Sequence, residues 1–187
     1  MSGVSGTVTS EQSAARELVR TWAAGSGGIA AARDVEHGEP EAWRPVYVGL
    51  AELGLFGVAV AEEAGGAGAS VTDLCAMVEE AAAALIPGPV ASSALATLVV
   101  DDAAVLEALM SGERTAGFAL SADLRVADDR VSGVAGYVLG AVAGGVVLLP
   151  GPDGWLLIDT AADGVTVEPL SATDFSRPLS RVAIERM

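Results

Sequence analysis

The chain has 187 residues, of which 51% are hydrophobic and 19% are charged. Its length allows one large domain or two small ones, and its apolar content is enough to form a core and argues against disorder. The 25 acidic residues outnumber the 10 basic ones, which gives a formal net charge of −15. Nucleic acids and anionic membranes would repel such a surface, so we expect neither as a partner.

Missing residue types exclude several kinds of site. All ten basic residues are Arg, so a P-loop lysine and a Schiff-base lysine are both ruled out. With His37 and Cys75 as the only residues of their types, an internal disulfide and a closed zinc site of His and Cys are excluded, and we expect no metal. We expect His37 in a solvated loop and Cys75 as a buried, unreactive thiol. The first six residues lack the features of a signal peptide, which predicts a cytoplasmic protein.

Helices are predicted over the first 112 residues. After a disordered tail at 1–8, Thr9 and Gln12 fit a capping box for a first helix, and a second helix is predicted at 29–35. Pro40 suits the first turn of a third helix, which ends at Gly54. Ser70 suits the cap of a fourth helix, and two more are predicted at 90–100 and 102–111. The predicted buried face of the fourth helix consists of Val71, Leu74, Cys75, Val78, Ala82 and Leu85.

After Gly112 the pattern changes to short apolar runs separated by turns. The predicted strands are 115–120, 130–134, 137–139, 146–149, 155–158, 165–168 and 181–184. The segment from Val131 to Pro152 has no charged residue and is long enough to span a bilayer, but its many glycines favour two strands instead. The sequence therefore predicts an α+β protein, with a helical domain at 1–112 and an antiparallel β-barrel or sandwich at 113–187.

One segment, from Glu52 to Gly68, has a distinctive pattern. A helix ends at Gly54, a short apolar stretch follows, and a Glu-Glu-Ala-Gly-Gly-Ala-Gly loop leads into the next helix. This pattern resembles the N-terminal domain of acyl-CoA dehydrogenases, and the segment 174–179 resembles the connection between two strands of their middle β domain. The resemblance covers nearly the whole chain. It implies a helical domain and a middle β domain, without the family's C-terminal four-helix bundle, so we expect a fragment or a shortened form.

The resemblance also implies FAD as the cofactor. The family's flavin-contacting Thr-Glu-Pro corresponds here to Ser121 and the two residues after it, which keeps the hydroxyl and loses the Glu-Pro. The family's aromatic-Ile-Thr tripeptide corresponds to residues 137–139, in which Tyr137 can stack on a ring but Leu139 cannot donate a hydrogen bond. The candidate cofactor-binding residues are Phe118, Leu120, Ser121, Tyr137, Val138 and Leu139.

The implied reaction of the complete assembly is α,β-dehydrogenation of an acyl-CoA thioester. The family's catalytic Glu belongs to the missing bundle, so no catalytic residue is assigned and the isolated chain is expected to be inactive. Expected partners are the acyl-CoA substrate and other acyl-CoA dehydrogenase subunits, in a homo- or hetero-oligomer. An alternative is a non-catalytic subunit of a heteromeric enzyme of lipid or steroid catabolism, as in actinobacteria, and a less favoured one is a flavin monooxygenase of the same fold.

Overall fold

Six α-helices precede the sheet in the part of the chain that a computed structural model describes, residues 9–128 and 130–185. The tail predicted at 1–8 lies outside these residues. Two short 3₁₀ turns, Leu55–Gly57 and Glu62–Ala64, separate the third helix from the fourth. The helices are α1 (Ser10–Ala23), α2 (Gly28–Glu36), α3 (Arg44–Glu52), α4 (Val71–Ala83), α5 (Val90–Ala96) and α6 (Ala103–Met110).

The helix starts follow from local hydrogen bonding. At α1 the backbone N–H of Gln12 donates to Thr9 Oγ1 and that of Thr9 donates to Gln12 Oε1, both at 3.2 Å. At α4 Ser70 and Asp73 form the same reciprocal pair. Both predicted caps are confirmed. The third helix begins at Arg44, not near Pro40, because Pro45 occupies its first turn, where a fixed φ and a missing N–H are tolerated.

The buried face of α4 differs from the predicted one. Leu74, Met77 and Ala81 are buried, whereas Val71 is 52% exposed and Cys75 is also exposed. Leu85 lies beyond the end of the helix and is 59% exposed. Because α4 has apolar residues on nearly every side, its periodicity does not define one face, and packing against α1 and α5 decides which side is buried. The prediction of a buried Cys75 was therefore wrong.

The second half of the described chain is one sheet. The strand order is β5-β4-β1-β3-β7-β6, and β2 pairs with β3. The predicted α+β class is confirmed, although the β1–β4 pair is parallel, so the sheet is mixed rather than wholly antiparallel. The strands are β1 (Ala116–Phe118), β2 (Asp123–Ala127), β3 (Arg130–Leu139), β4 (Val146–Gly151), β5 (Gly154–Asp159), β6 (Val165–Pro169) and β7 (Leu179–Ile184).

Two strand predictions need correction. The runs at 130–134 and 137–139 form the single strand β3, because the glycine between them is accommodated in a bulge. Strand β2 was not predicted, since most of its residues are exposed and it lacks the alternation of a half-buried strand. The uncharged segment from Val131 onward forms most of β3, a turn and β4, as the strand interpretation predicted. Within the described residues, no helix has the length and apolar character needed to cross a membrane.

Three buried clusters hold these elements together. The helical cluster centres on Trp43, Tyr47 and Phe56, with ring centroids 5.6 Å apart for the first pair and 4.7 Å for the second. A second cluster lies on the inner face of the sheet. A third joins α5 and α6 to β1 and β4. The helices end at Met110 and the strands begin at Ala116, while the division into domains at residue 112 stays a prediction.

Candidate functional site

Strands β1 and β2 lie end to end along the same edge of β3. Phe118 pairs with Leu139, and Asp123 pairs with Val134, so the two pairs are five residues apart on both strands. Residues 119–122, which connect β1 to β2, therefore correspond in number to residues 135–138 of β3. This arrangement pairs Phe118 with Leu139, so the two segments that carry the predicted cofactor-binding residues meet at this point of the sheet.

A β-bulge in β3 re-aims Tyr137. Ala135 pairs with Val182 and Val138 pairs with Ser180, so two residues of β3 stand opposite one residue of β7. A bulge of this kind bends the strand and changes the direction of its side chains. As a result the Tyr137 side chain is 76% exposed, while the neighbouring Val138 is fully buried.

Three of the six predicted residues have exposed side chains that are apolar or aromatic, and we call this set the ledge: Leu120, Tyr137 and Leu139. Leu120 is 82% exposed and Leu139 is 36% exposed. Ser121, next to Leu120 in the chain, is also exposed. Val138 points into the core, so its side chain is not available to a ligand.

The sixth predicted residue, Phe118, belongs to a neighbouring groove. Its ring lies 6.3 Å from that of Trp155, at an interplanar angle of 37°. Trp155 is 57% exposed and Val99 is 60% exposed. The groove has a volume of about 460 Å³, within the usual range for small-molecule sites. It is lined by Leu95, Val99, Val100, Asp101, Phe118, Leu148, Trp155 and Leu157.

Sequence reasoning missed this groove. Residues 155–158 are predicted as a strand, but all four are apolar, so no alternation marks the face that lines the groove. That α5 lies across this face could not be anticipated, because the packing joins residues far apart in the chain.

The glycine-rich loop has a structural role. The backbone N–H of Ala67 donates to the Gly57 carbonyl at 2.9 Å, and that of Gly68 donates to the Val60 carbonyl at 2.8 Å. These N–H groups are therefore already satisfied and not available to an anion. At Gly66 an added Cβ would lie 2.2 Å from the Val60 carbonyl oxygen, so the loop needs glycine there for close backbone packing.

Ionisable groups with a shifted pKa lie in the helices and in the connection before β7, where Asp174 pairs with Arg177, which lines a small gap together with Leu139. Hydrogen bonding from Arg20 lowers the pKa of Glu80, between α1 and α4. Hydrogen bonding from Ser176 lowers the pKa of Asp174 in the connection before β7. Burial raises the pKa of Tyr47 in the helical core. The ledge consists of two aliphatic side chains and one phenol, so its chemistry is apolar contact and ring stacking.

The family assignment follows from comparison with known proteins. Residues 9–113 match the model of the acyl-CoA dehydrogenase N-terminal domain. The chain is 59% identical over 188 residues to acyl-CoA dehydrogenase FadE34 of Mycobacterium tuberculosis (strain ATCC 25618 / H37Rv). The chain therefore belongs to the acyl-CoA dehydrogenase family. The alignment covers 95% of this chain and 26% of FadE34, so the chain spans about a quarter of that relative's length.

Solved structures share the fold. The Tcur3481-Tcur3483 steroid ACAD, G363A variant, superimposes with a TM-score of 0.76 and 26% identity, over 96% of this chain and 56% of that one. The Bacillus anthracis acyl-CoA dehydrogenase complexed with FAD superimposes with a TM-score of 0.74 and 17% identity, over 95% of this chain and 36% of that one. The helices and the mixed sheet therefore match the helical and β portions of this family's fold.

Proposed function

We propose that the chain supplies a flavin-facing wall of an acyl-CoA dehydrogenase and that it is inactive on its own. The observation that carries this proposal is the ledge. Two segments that the family resemblance assigned to flavin, 118–121 and 137–139, meet at the pair of Phe118 and Leu139. They expose Leu120 and Tyr137 to solvent. Core formation would favour burying such side chains, so their exposure suits a surface that another group covers.

The ledge residues fit the apolar part of a flavin. Tyr137 and Leu120 would hold the face of a planar ring, with the Ser121 hydroxyl as a polar contact at the edge. Leu139 offers no hydrogen bond to the ring. When bound, flavin supplies the hydride acceptor of the dehydrogenation.

The inactivity follows from the absence of a base on the ledge. Removal of an α-proton requires a general base within hydrogen-bonding reach of the substrate carbon. The ledge contains no carboxylate and no imidazole, and the one acidic residue among those that line the groove, Asp101, lies between α5 and α6. We therefore propose that the base comes from additional protein. The chain matches only 26% of FadE34, so that relative contains further residues that could supply such a base.

The second candidate is a non-catalytic subunit that completes the site of an acyl-CoA dehydrogenase partner. It is favoured by the missing donor at Leu139 and by the apolar surface around Trp155 and Val99, which a partner would cover. The name of the solved steroid ACAD pairs two components, Tcur3481 and Tcur3483. By analogy we propose a hetero-oligomer that acts on an acyl-CoA thioester, with steroid thioesters as the first class to test.

A titration of the purified chain with FAD tests the flavin wall, with Leu139→Thr and Leu139→Val as a matched pair. The two side chains have the same shape, and only Thr carries a hydroxyl. We expect the Thr variant to bind FAD several-fold more tightly than the Val variant, since one hydrogen bond contributes about 1 kcal/mol. Equal affinities would argue against ring contact at this position.

An activity assay on the same samples tests the proposed inactivity. With an acyl-CoA substrate and an artificial electron acceptor, the isolated chain should show no turnover even when saturated with FAD. Turnover by the chain alone would refute the need for additional protein. Native mass spectrometry on the complex isolated from the source cells would then distinguish a longer polypeptide from a separate partner subunit.

A further inference from the structure

The residue that follows β3 is in unusually close contact with helix α5. Gly140 has a φ of +80°, and an added Cβ would lie 2.0 Å from the Ser92 Oγ and 3.0 Å from the Ala116 carbonyl oxygen. Ser92 is buried and donates its hydroxyl hydrogen to the Pro89 carbonyl at 3.1 Å. Position 140 therefore requires glycine for two separate reasons, the left-handed backbone and the lack of space.

Hydrogen bonds hold the same region from both sides. The N–H of Gly140 donates to the Pro178 carbonyl at 2.7 Å, and the N–H of Gly88 donates to the Ser176 carbonyl at 2.7 Å. The fully buried Ser93 hydroxyl accepts the N–H of Ala116 at 2.9 Å. The start of α5 is thus fixed to the end of β3, the start of β1 and the connection before β7.

Very little free space remains at this junction. The gap between residues 88–92, Leu139 and Gly140 has a volume of only about 10 Å³. Close-packed interiors transmit a displacement because neighbouring side chains cannot absorb it. A shift of Gly140 away from α5 would therefore move Leu139, and with it the rest of the ledge.

We propose that Gly140 and Ser92 are positioning residues for the ledge. Their contact sets the place of Tyr137 and Leu139 relative to α5, whose other end contributes Leu95 to the groove. The inference rests on the proposed function in one respect, that the ledge is the wall that flavin contacts. The ledge and the groove would then form two parts of one site, and the Gly140–Ser92 contact fixes their separation.

The chain offers a matched control for this contact. Gly144 has the same φ of +80° as Gly140, but an added Cβ there would meet no atom within 4 Å. Gly144→Ala therefore reports the backbone strain alone, while Gly140→Ala reports the strain and the clash with Ser92. Ser92→Ala removes the Oγ, so the double variant Ser92→Ala/Gly140→Ala should relieve much of the clash.

The position of the ledge can be measured directly by ¹⁹F NMR on protein labelled with 3-fluorotyrosine. The chain has two tyrosines, the exposed Tyr137 and the buried Tyr47, whose hydroxyl contacts Ser93 of α5. Chemical shifts are therefore referenced to an external standard. We expect Gly140→Ala to shift the Tyr137 resonance. Gly144→Ala should leave it unshifted, and the double variant should return it towards its original position.

FAD titrations on the same proteins separate this inference from the proposed function. Gly140→Ala should weaken FAD binding by about tenfold or more relative to Gly144→Ala, as expected for a site displaced by a fraction of an ångström. A shifted Tyr137 resonance in a chain that binds no FAD would support the positioning contact and refute the flavin wall. Identical Tyr137 resonances in the two glycine variants would overturn the positioning role.

If Gly140→Ala does not fold, Ser92→Thr serves instead, since it adds a methyl group at the same contact and leaves β3 unchanged. It should shift the Tyr137 resonance in the same way. An unchanged resonance in this variant would also overturn the inference.

Discussion

At the scale of single residues, close backbone contacts decide where glycine is required. Gly66 and Gly136 are both in the chain's non-helical part, and neither has a positive φ. An added Cβ at Gly66 would lie 2.2 Å from the Val60 carbonyl oxygen, whereas at Gly136 it would meet nothing within 4 Å. The family resemblance drew attention to the glycine-rich loop, but this steric reason becomes visible only when both segments are in place.

These two glycines give a stability prediction. Gly66→Ala should lower the free energy of unfolding by about 1–3 kcal/mol. The added Cβ would clash with backbone atoms of Val60, which cannot rotate out of the way as a side chain can. Gly136→Ala should change it by less than about 1 kcal/mol in either direction. Urea denaturation of both variants measures the difference. Similar midpoints would show that the loop can move away from Val60 at little cost.

At the scale of elements, local signals were predicted well and non-local ones were not. The caps at Thr9 and Ser70 depend on residues three positions apart, so the sequence alone was sufficient to find them. The parallel pairing of β1 with β4 joins segments that are distant in the chain. The sequence of neither strand indicates which strand it pairs with. For the same reason the six candidate cofactor-binding residues were identified by resemblance, while the bulge that exposes Tyr137 was not anticipated.

The contact between α1 and α4 gives a prediction about acid stability. Arg16 lies 2.5 Å from Glu79 and 3.2 Å from Glu80, and Arg20 lies 2.7 Å from Glu80. The Glu80 side chain is only 12% exposed, against 67% for Glu79. We therefore expect Glu80→Gln to lower the melting temperature more than Glu79→Gln, because exposed ion pairs contribute little.

The pH dependence of that effect has a definite sign. Hydrogen bonding from Arg20 holds the pKa of Glu80 below its ordinary value of 4.5. The stabilisation is therefore fully present above about pH 4.5 and is lost as the pH falls through the lower pKa of the folded state. Unfolding curves of the original protein and Glu80→Gln should converge as the pH falls below the ordinary pKa of 4.5. A difference that stays constant over this range would assign the effect to packing.

At the scale of the whole molecule, the exposed apolar side chains and the net charge have opposite effects on self-association. The groove and the ledge expose large apolar side chains, among them Trp155, Val99 and Leu120, and such surfaces favour association. The net charge of −15 favours separation, because like-charged chains repel. The order of helices followed by strands, and the excess of acidic residues, were evident from the sequence. The proximity of ledge and groove was not, because it depends on the pairing of β1 with β3 and on how α5 packs against β1.

This opposition predicts that salt controls self-association. At low ionic strength repulsion should keep the isolated chain monomeric, and at about 0.5 M salt, where charges are screened within a few ångströms, the apolar groove should drive oligomers. Trp155→Ser should suppress the salt-induced association, since Trp155 is 57% exposed within the groove. Leu18→Ser is the matched control, because Leu18 is 48% exposed on α1, away from the groove. Sedimentation velocity measures both variants, and equal suppression by the two substitutions would mean that association is not directed by the groove.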